Sequence, residues 1–218
     1  CDVYHLGLLP YQAAWALQNR LADQRGRDEI PDRLLLVSHP HTYTLGSSGH
    51  EENLIWSPGE RARRGVEVVR VDRGGDVTYH GPGQLVAYPI IRLNRSDSLR
   101  ADVVGYIRQL ETVVIHALAD YGIVGKTITG LTGVWVDTPR GEEKICAIGV
   151  KVTTRAVTKH GFALNLNTDL DYFSGIIPCG IADKGVTSLA ARLGTPVDET
   201  DAARRVAAHF GAVMDLTI

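Results

Sequence analysis

The chain has 218 residues, enough for one domain with a substantial core. Apolar residues make up 44% and charged residues 22%, an ordinary globular balance that excludes disorder as the main state. Lys and Arg number 23 against 25 Asp and Glu, a formal charge of −2, so there is no basic excess for a nucleic-acid partner, and no apolar run is long enough for a membrane span.

Pro10 opens a helical pattern in which Tyr11, Ala14, Trp15, Gln18, Leu21 and Ala22 keep 3–4 spacing up to Gly26. Leu34-Leu35-Leu36-Val37 reads as a short buried strand, and Thr42-Tyr43-Thr44-Leu45 as a second, stopped by Gly46. Residues 47–62 carry Ser, Gly, Glu and Pro and read as loop. Residues 66–71 partly alternate like a half-buried strand. A glycine-rich stretch, 73–83, and a further apolar run, 85–91, follow. The spacing predicts a helix over about 100–121, with Val103, Tyr106, Ile107, Leu110, Val113, Val114 and Leu118 on one stripe and Gly122 at its C-terminus. Strands are expected at 133–137, 144–152 and 161–167, the first two joined through Pro139-Arg140-Gly141. Asp169 and Asp171 flank a turn and are expected to cap it. Short helices fit 186–193 and 199–210. The order implies an α/β (α+β) fold, a single domain over 1–218 with a mixed, largely antiparallel sheet, flanking helices and a helical extension from about 183.

Arg73-Gly74-Gly75-Asp76-Val77-Thr78-Tyr79-His80-Gly81-Pro82-Gly83-Gln84 is the densest chemical signal. Glycines there let the backbone approach a ligand, or simply make a tight hairpin; Arg73, Tyr79 and His80 favour a site. It is not a phosphate loop. The three cysteines, Cys1, Cys146 and Cys179, form no disulfide framework and no zinc motif, which points to a reduced, cytoplasmic chain without a structural metal; no secretion signal is visible. Cys179 stands between Pro178 and Gly180, on a tight turn suited to a reactive thiol. Cys146 lies in an apolar strand and reads as packing, and Cys1 as incidental. A reactive thiol needs a neighbouring cation or base, for which His80, His160, Lys144 and Lys184 are candidates. His39 and His41 read as structural.

These segments resemble the lipoyl(octanoyl) transferase family across nearly the whole chain. The resemblance rests on residues 34–46, the run from Arg73 to Gln84, Gly133-Val134-Trp135 and Lys144-Ile145-Cys146-Ala147-Ile148-Gly149. It continues through His160-Gly161-Phe162-Ala163-Leu164-Asn165, Ile177-Pro178-Cys179-Gly180 and Val186-Thr187-Ser188-Leu189. It implies the fold of biotin and lipoate ligase catalytic domains. It also implies transfer of an octanoyl group from octanoyl-acyl carrier protein to a lysine of lipoyl domains, those of 2-oxoacid dehydrogenases and the glycine cleavage H protein, with no cofactor. Cys179 matches the nucleophile and Lys144 its partner. Arg73, Gly74, Gly75, Asp76, Val77, Thr78, Tyr79 and His80 are implied to bind the acyl chain. So are Ala147, Ile148 and Gly149, with His160, Gly161, Phe162 and Ala163. Two departures stand out: Ser38 occupies a position where the family often has Glu, and 151–159 is about one residue longer than usual. The rival readings are an adenylating ligase on the same fold, a non-catalytic acyl-binding module and a cysteine hydrolase. The Pro-Cys-Gly setting of Cys179 counts against the first.

Overall fold

The helix opened by Pro10 is α1 (Tyr11–Gly26), which buries Tyr11, Ala14, Gln18, Leu21 and Ala22 at the expected spacing. The computed structural model describes residues 1–93, 102–177 and 184–218. Ahead of α1 lies β1 (Asp2–Leu8), an edge strand whose mostly exposed side chains leave no apolar pattern to read. Then come β2 (Arg33–Ser38) and β3 (Thr42–Leu45).

The stretch 47–62, expected to be loop, contains a short helix, α2 (Pro58–Arg63). Local capping makes it: the Ser57 side chain accepts from the Glu60 N–H, and Pro58 fills the first turn. β4 (Glu67–Arg70), β5 (Val77–His80) and β6 (Gln84–Ile90) follow. Next is α3 (Val103–Ala119), capped by Asp102; residues 100–101 of the expected helix lie outside the described residues. Gly122, at φ +72°, donates its N–H to the Ala119 carbonyl and closes the end.

Then come β7 (Gly125–Ile128), β8 (Leu131–Thr138), β9 (Gly141–Val152) and β10 (Thr158–Asn165). Asp169 accepts from the Asp171 N–H at the start of a 3₁₀ turn over 170–175. The helix expected from 186 starts at Leu189 as α4 (Leu189–Leu193), because Gly185–Val186 forms a two-residue strand, β11, and the Ser188 side chain caps the helix N-terminus. α5 (Glu199–Met214) completes the set.

Among the described residues the strands form two sheets. The larger runs β1-β2-β6-β10-β9-β8-β7, with β11 paired to β9. It is mixed: β1 with β2 and β11 with β9 are parallel, and the other pairs antiparallel. The smaller runs β4-β3-β5. On one face of the large sheet Leu34, Leu36, Leu85, Phe162 and Leu164 share a core with Leu110 and Val114 of α3 and Val206 and Phe210 of α5. On the other face Leu35, Val37, Val86, Tyr88 and Ala163 pack with Ala14, Leu21 and Ala22 of α1. Beyond the start of α1 this second face is crossed by the 73–80 segment, whose Gly74 N–H donates to the Val150 carbonyl on β9. No helix among the described residues is long and apolar enough to cross a membrane.

Candidate active site

β9 and β10 make the floor of the site. Ala163 stands opposite Ala147, and Gly161 opposite Gly149. Strand alternation turns these small residues to one face and sends Phe162, Leu164 and Cys146 into the helical core on the other. The space left above them is a cavity of about 310 Å³, within the range of small-molecule sites. Arg73, Gly74, Gly75, Thr78 and His80 line it from the glycine-rich segment. Lys144, Ala147, Ile148 and Gly149 line it from β9, and His160, Gly161, Phe162 and Ala163 from β10. A Cβ at Gly149 would lie 2.9 Å from the Gly74 carbonyl oxygen, and one at Gly46 would overlap that of Gly75. These two glycines let the 73–75 backbone lie against both β9 and the end of β3.

Lys144 reaches the cavity through an irregularity. Val134 pairs with Cys146 but Trp135 pairs with Lys144, so β9 carries one extra residue, Ile145. Ile145 and Cys146 both enter the helical core, and Lys144 is turned to the cavity face. Regular alternation would have placed it with Cys146 and Ile148. Lys144 is buried, and its ammonium lies 4.7 Å from the centre of the Trp135 ring. Beside it runs β11: Val186 pairs with Lys144, and the Thr187 N–H donates to the Lys144 carbonyl.

The polar walls are closely wired. Buried Arg73 donates to the Thr44 carbonyl at 2.6 Å and to its hydroxyl oxygen at 2.8 Å. The Thr44 hydroxyl lies 3.3 Å from His80 Nε2, and His80 Nδ1 lies 3.0 Å from the Gln84 side-chain oxygen. Burial holds His80 neutral, well below the usual imidazole range. Gln84 donates onward to Asn165, and Asn165 to the Thr187 carbonyl.

His160 has a left-handed backbone, φ +57°. Its N–H donates to the Gln18 side-chain oxygen of α1 at 2.7 Å. Burial pushes His160 down to about 4 despite its Asp72 partner, so this contact is a neutral imidazole donating to a carboxylate, not an ion pair.

Not every expected residue faces the cavity. Val77 and Tyr79 alternate away from Thr78 and His80 into the small-sheet core. Asp76 accepts from the His50 N–H and the Asn53 amide, tying down the 46–53 segment. Cys179 lies outside the described residues. Cys146 is fully buried, and burial pushes its thiol up, leaving it inert. His39 is buried, with its ring between Tyr88 and the Leu9 carbonyl, and His41 stacks on Tyr172. Lys184 pairs with Glu142. Among the described residues no three His, Cys, Asp or Glu side chains converge to hold a metal ion.

The sequence reading missed Tyr11, Val86, Tyr88, Gly130 of the β7–β8 turn and Leu131 and Thr132 at the start of β8, all of which line the cavity. The i, i+2 spacing of Val86 and Tyr88 was the available signal; residues 130–132 carried none.

The model of the lipoyl protein ligase A/B catalytic domain matches residues 10–211. The chain is 53% identical over 214 residues to an octanoyltransferase from Chloroflexus aggregans, covering 98% of this chain and 95% of that one. Among solved structures it is similar to a bipartite lipoate protein ligase from Thermoplasma acidophilum, with a TM-score of 0.74 at 17% identity over 100% of this chain and 84% of the other. A biotin protein ligase from Aquifex aeolicus matches at a TM-score of 0.54 and 12% identity, over 99% of this chain and 69% of the other. The expected ligase-type catalytic fold is therefore the one found.

Proposed function

The chain belongs to the lipoyl protein ligase A/B catalytic-domain family, and we propose that it takes an octanoyl group from acyl carrier protein and passes it, through an acyl-cysteine at Cys179, to a lysine of a lipoyl domain. Octanoyl transfer in protein lipoylation is its activity. The donor, the nucleophile and the residue roles are the proposed part. So are the acceptors, the lipoyl domains of 2-oxoacid dehydrogenases and the glycine cleavage H protein, and action in the cytoplasm by 1–218 as one catalytic unit.

The observation that carries this reading is the cavity itself. Its floor is a ladder of Ala and Gly residues, suited to an unbranched alkyl chain, and Lys144 stands at one end of it. Because β11 pairs with Glu143 and Lys144, the chain that leaves the 178–183 segment runs beside that lysine. In the first step the Cys179 thiolate attacks the thioester carbonyl, a C–S bond to cysteine forms, and the carrier leaves as a thiol with a proton from Lys144. In the second, the acceptor amine attacks the acyl-cysteine. The C–S bond breaks, an amide forms, and Lys144 takes the proton that the amine gives up. An acyl-cysteine keeps the energy of the donor thioester, so the amide forms without nucleotide.

Incubation with octanoyl carrier protein followed by intact-mass measurement tests the nucleophile. An octanoyl adduct that hydroxylamine removes and Cys179→Ser abolishes is the expected result. An undiminished adduct in that variant overturns the assignment.

A further inference from the structure

The cavity wall away from Lys144 is polar. His160 stands across from Val150 on β9, on the order of 18 Å from Lys144 at the strand rise of about 3.3 Å per residue. His160 Nε2 lies 2.8 Å from the Asp72 carboxylate, and Nδ1 lies 3.4 Å from the Tyr11 hydroxyl. The Tyr88 hydroxyl lies 2.8 Å from His39 Nε2. His39 Nδ1 in turn lies 2.7 Å from the Leu9 carbonyl oxygen.

The Leu9 carbonyl and the Asp72 carboxylate fix the direction of these bonds. A carbonyl oxygen only accepts, so His39 carries its proton on Nδ1 and takes the Tyr88 O–H on Nε2. A carboxylate only accepts, so His160 carries its proton on Nε2 and offers a bare Nδ1. The Tyr11 proton then has its acceptor inside the wall, His160 Nδ1. Both hydroxyl protons are used within the wall, and no O–H is aimed into the lumen. Asp72 does not line the cavity. It is held in place by Lys159 Nζ at 2.8 Å and Trp15 Nε1 at 3.1 Å.

We infer that Asp72 is a positioning residue for acyl-chain length: by holding His160 as the Nε2–H tautomer it keeps the Tyr11 O–H turned into the wall, so that the far end of the cavity accepts the last methylenes of a full-length chain. The inference rests on the acyl-transfer reading above. Removing the acceptor lets the His160 proton move to Nδ1 and donate to the Tyr11 oxygen, and the Tyr11 O–H then swings into the lumen. A terminal methylene pressed against it leaves a buried donor unpaired.

The test compares Asp72→Leu, which has no acceptor, with Asp72→Asn, whose side-chain oxygen still accepts from His160. In Asp72→Leu, kcat/KM with an octanoyl thioester falls about tenfold, through KM, the size of effect one unpaired buried donor carries. A butyryl thioester, which ends short of the wall, stays within about twofold, and Asp72→Asn stays near wild type on both, as an intact acceptor requires. If Asp72 acted only through its charge or as a structural tie, the two variants would fall together, or both chain lengths would suffer alike. Either result overturns the inference. Nitrogen-15 NMR of the wild type reads the tautomer without any variant. A protonated Nε2 and bare Nδ1 at His160 are expected, and the reverse overturns the wiring even if Asp72→Leu does not fold. A wild-type protein that transfers no acyl group refutes the acyl-transfer reading and the chain-length role with it, while the NMR assignment is decided on its own.

Discussion

Replacing Ala163 by Leu places an isobutyl group in the cavity floor, in the row formed by Ala147, Ala163 and Val86. The next row toward the far wall, Gly149 with Gly161, lies two residues on, roughly 6.6 Å further at the strand rise. A chain entering from the Lys144 end must pass the Ala163 row to reach it. With Leu in the way, about four methylenes lose their burial, each worth about 0.8 kcal/mol, for a total of about 3 kcal/mol. The expected result is a loss of roughly a hundredfold or more in kcat/KM for an octanoyl thioester, at about 1.4 kcal/mol per tenfold. An acetyl thioester, which never reaches the row, keeps its rate. The assay is transfer to a lipoyl domain with a thioester series from acetyl to octanoyl, beside a thermal melt, because overpacking a filled position typically costs about 1–3 kcal/mol of stability. Full octanoyl activity in a folded variant, or an equal loss for acetyl and octanoyl, refutes the placement of the acyl chain on this floor.

Lys144→Ala is expected to slow both acylation and transfer by about 10²–10⁴-fold with the fold intact, measured by single-turnover mass spectrometry. Gly149→Val puts atoms where the Gly74 carbonyl and the Arg73 stem now lie. It should lift the 73–75 backbone off β9 and raise KM for the acyl donor more than it lowers kcat. Burial pushes both His39 and His160 down to about 4, whereas in the unfolded chain they titrate near 6.5. The unfolded state then holds more protons between those values, so the stability these two histidines allow falls as pH drops from 6.5 to 4, by on the order of 3 kcal/mol per histidine. Urea midpoints across that range check this, and His39→Phe should flatten part of the slope.

The features legible in the sequence were local. The 3–4 spacing after Pro10 and the stripe from Tyr106 to Leu118 correspond to α1 and α3, because an amphipathic helix writes its packing into consecutive residues. β1 and β7 left no such trace, since both are edge strands with half-buried or exposed side chains. α2 was hidden because a cap, not an apolar face, defines it. The glycine-rich run drew attention to one wall of the cavity, but alternation within β5 divides that run between the cavity and the small-sheet core. The extra residue at Ile145 was not legible, because a bulge is set by the partner strand, and without it Lys144 would face the helices. Tyr11, His160 and Asp72 come together from α1, β10 and the loop before Arg73, contacts that no local spacing announces. The pairing of Lys144 with Cys179 rests on the sequence resemblance.

Transfer to a purified lipoyl domain, followed by intact mass with and without ATP, tests acyl-cysteine chemistry most directly. Octanoyl carrier protein should yield the octanoylated domain with no nucleotide present, and free octanoate with ATP should yield nothing. Product formed only from free octanoate and ATP, and undiminished in Cys179→Ser, would contradict it.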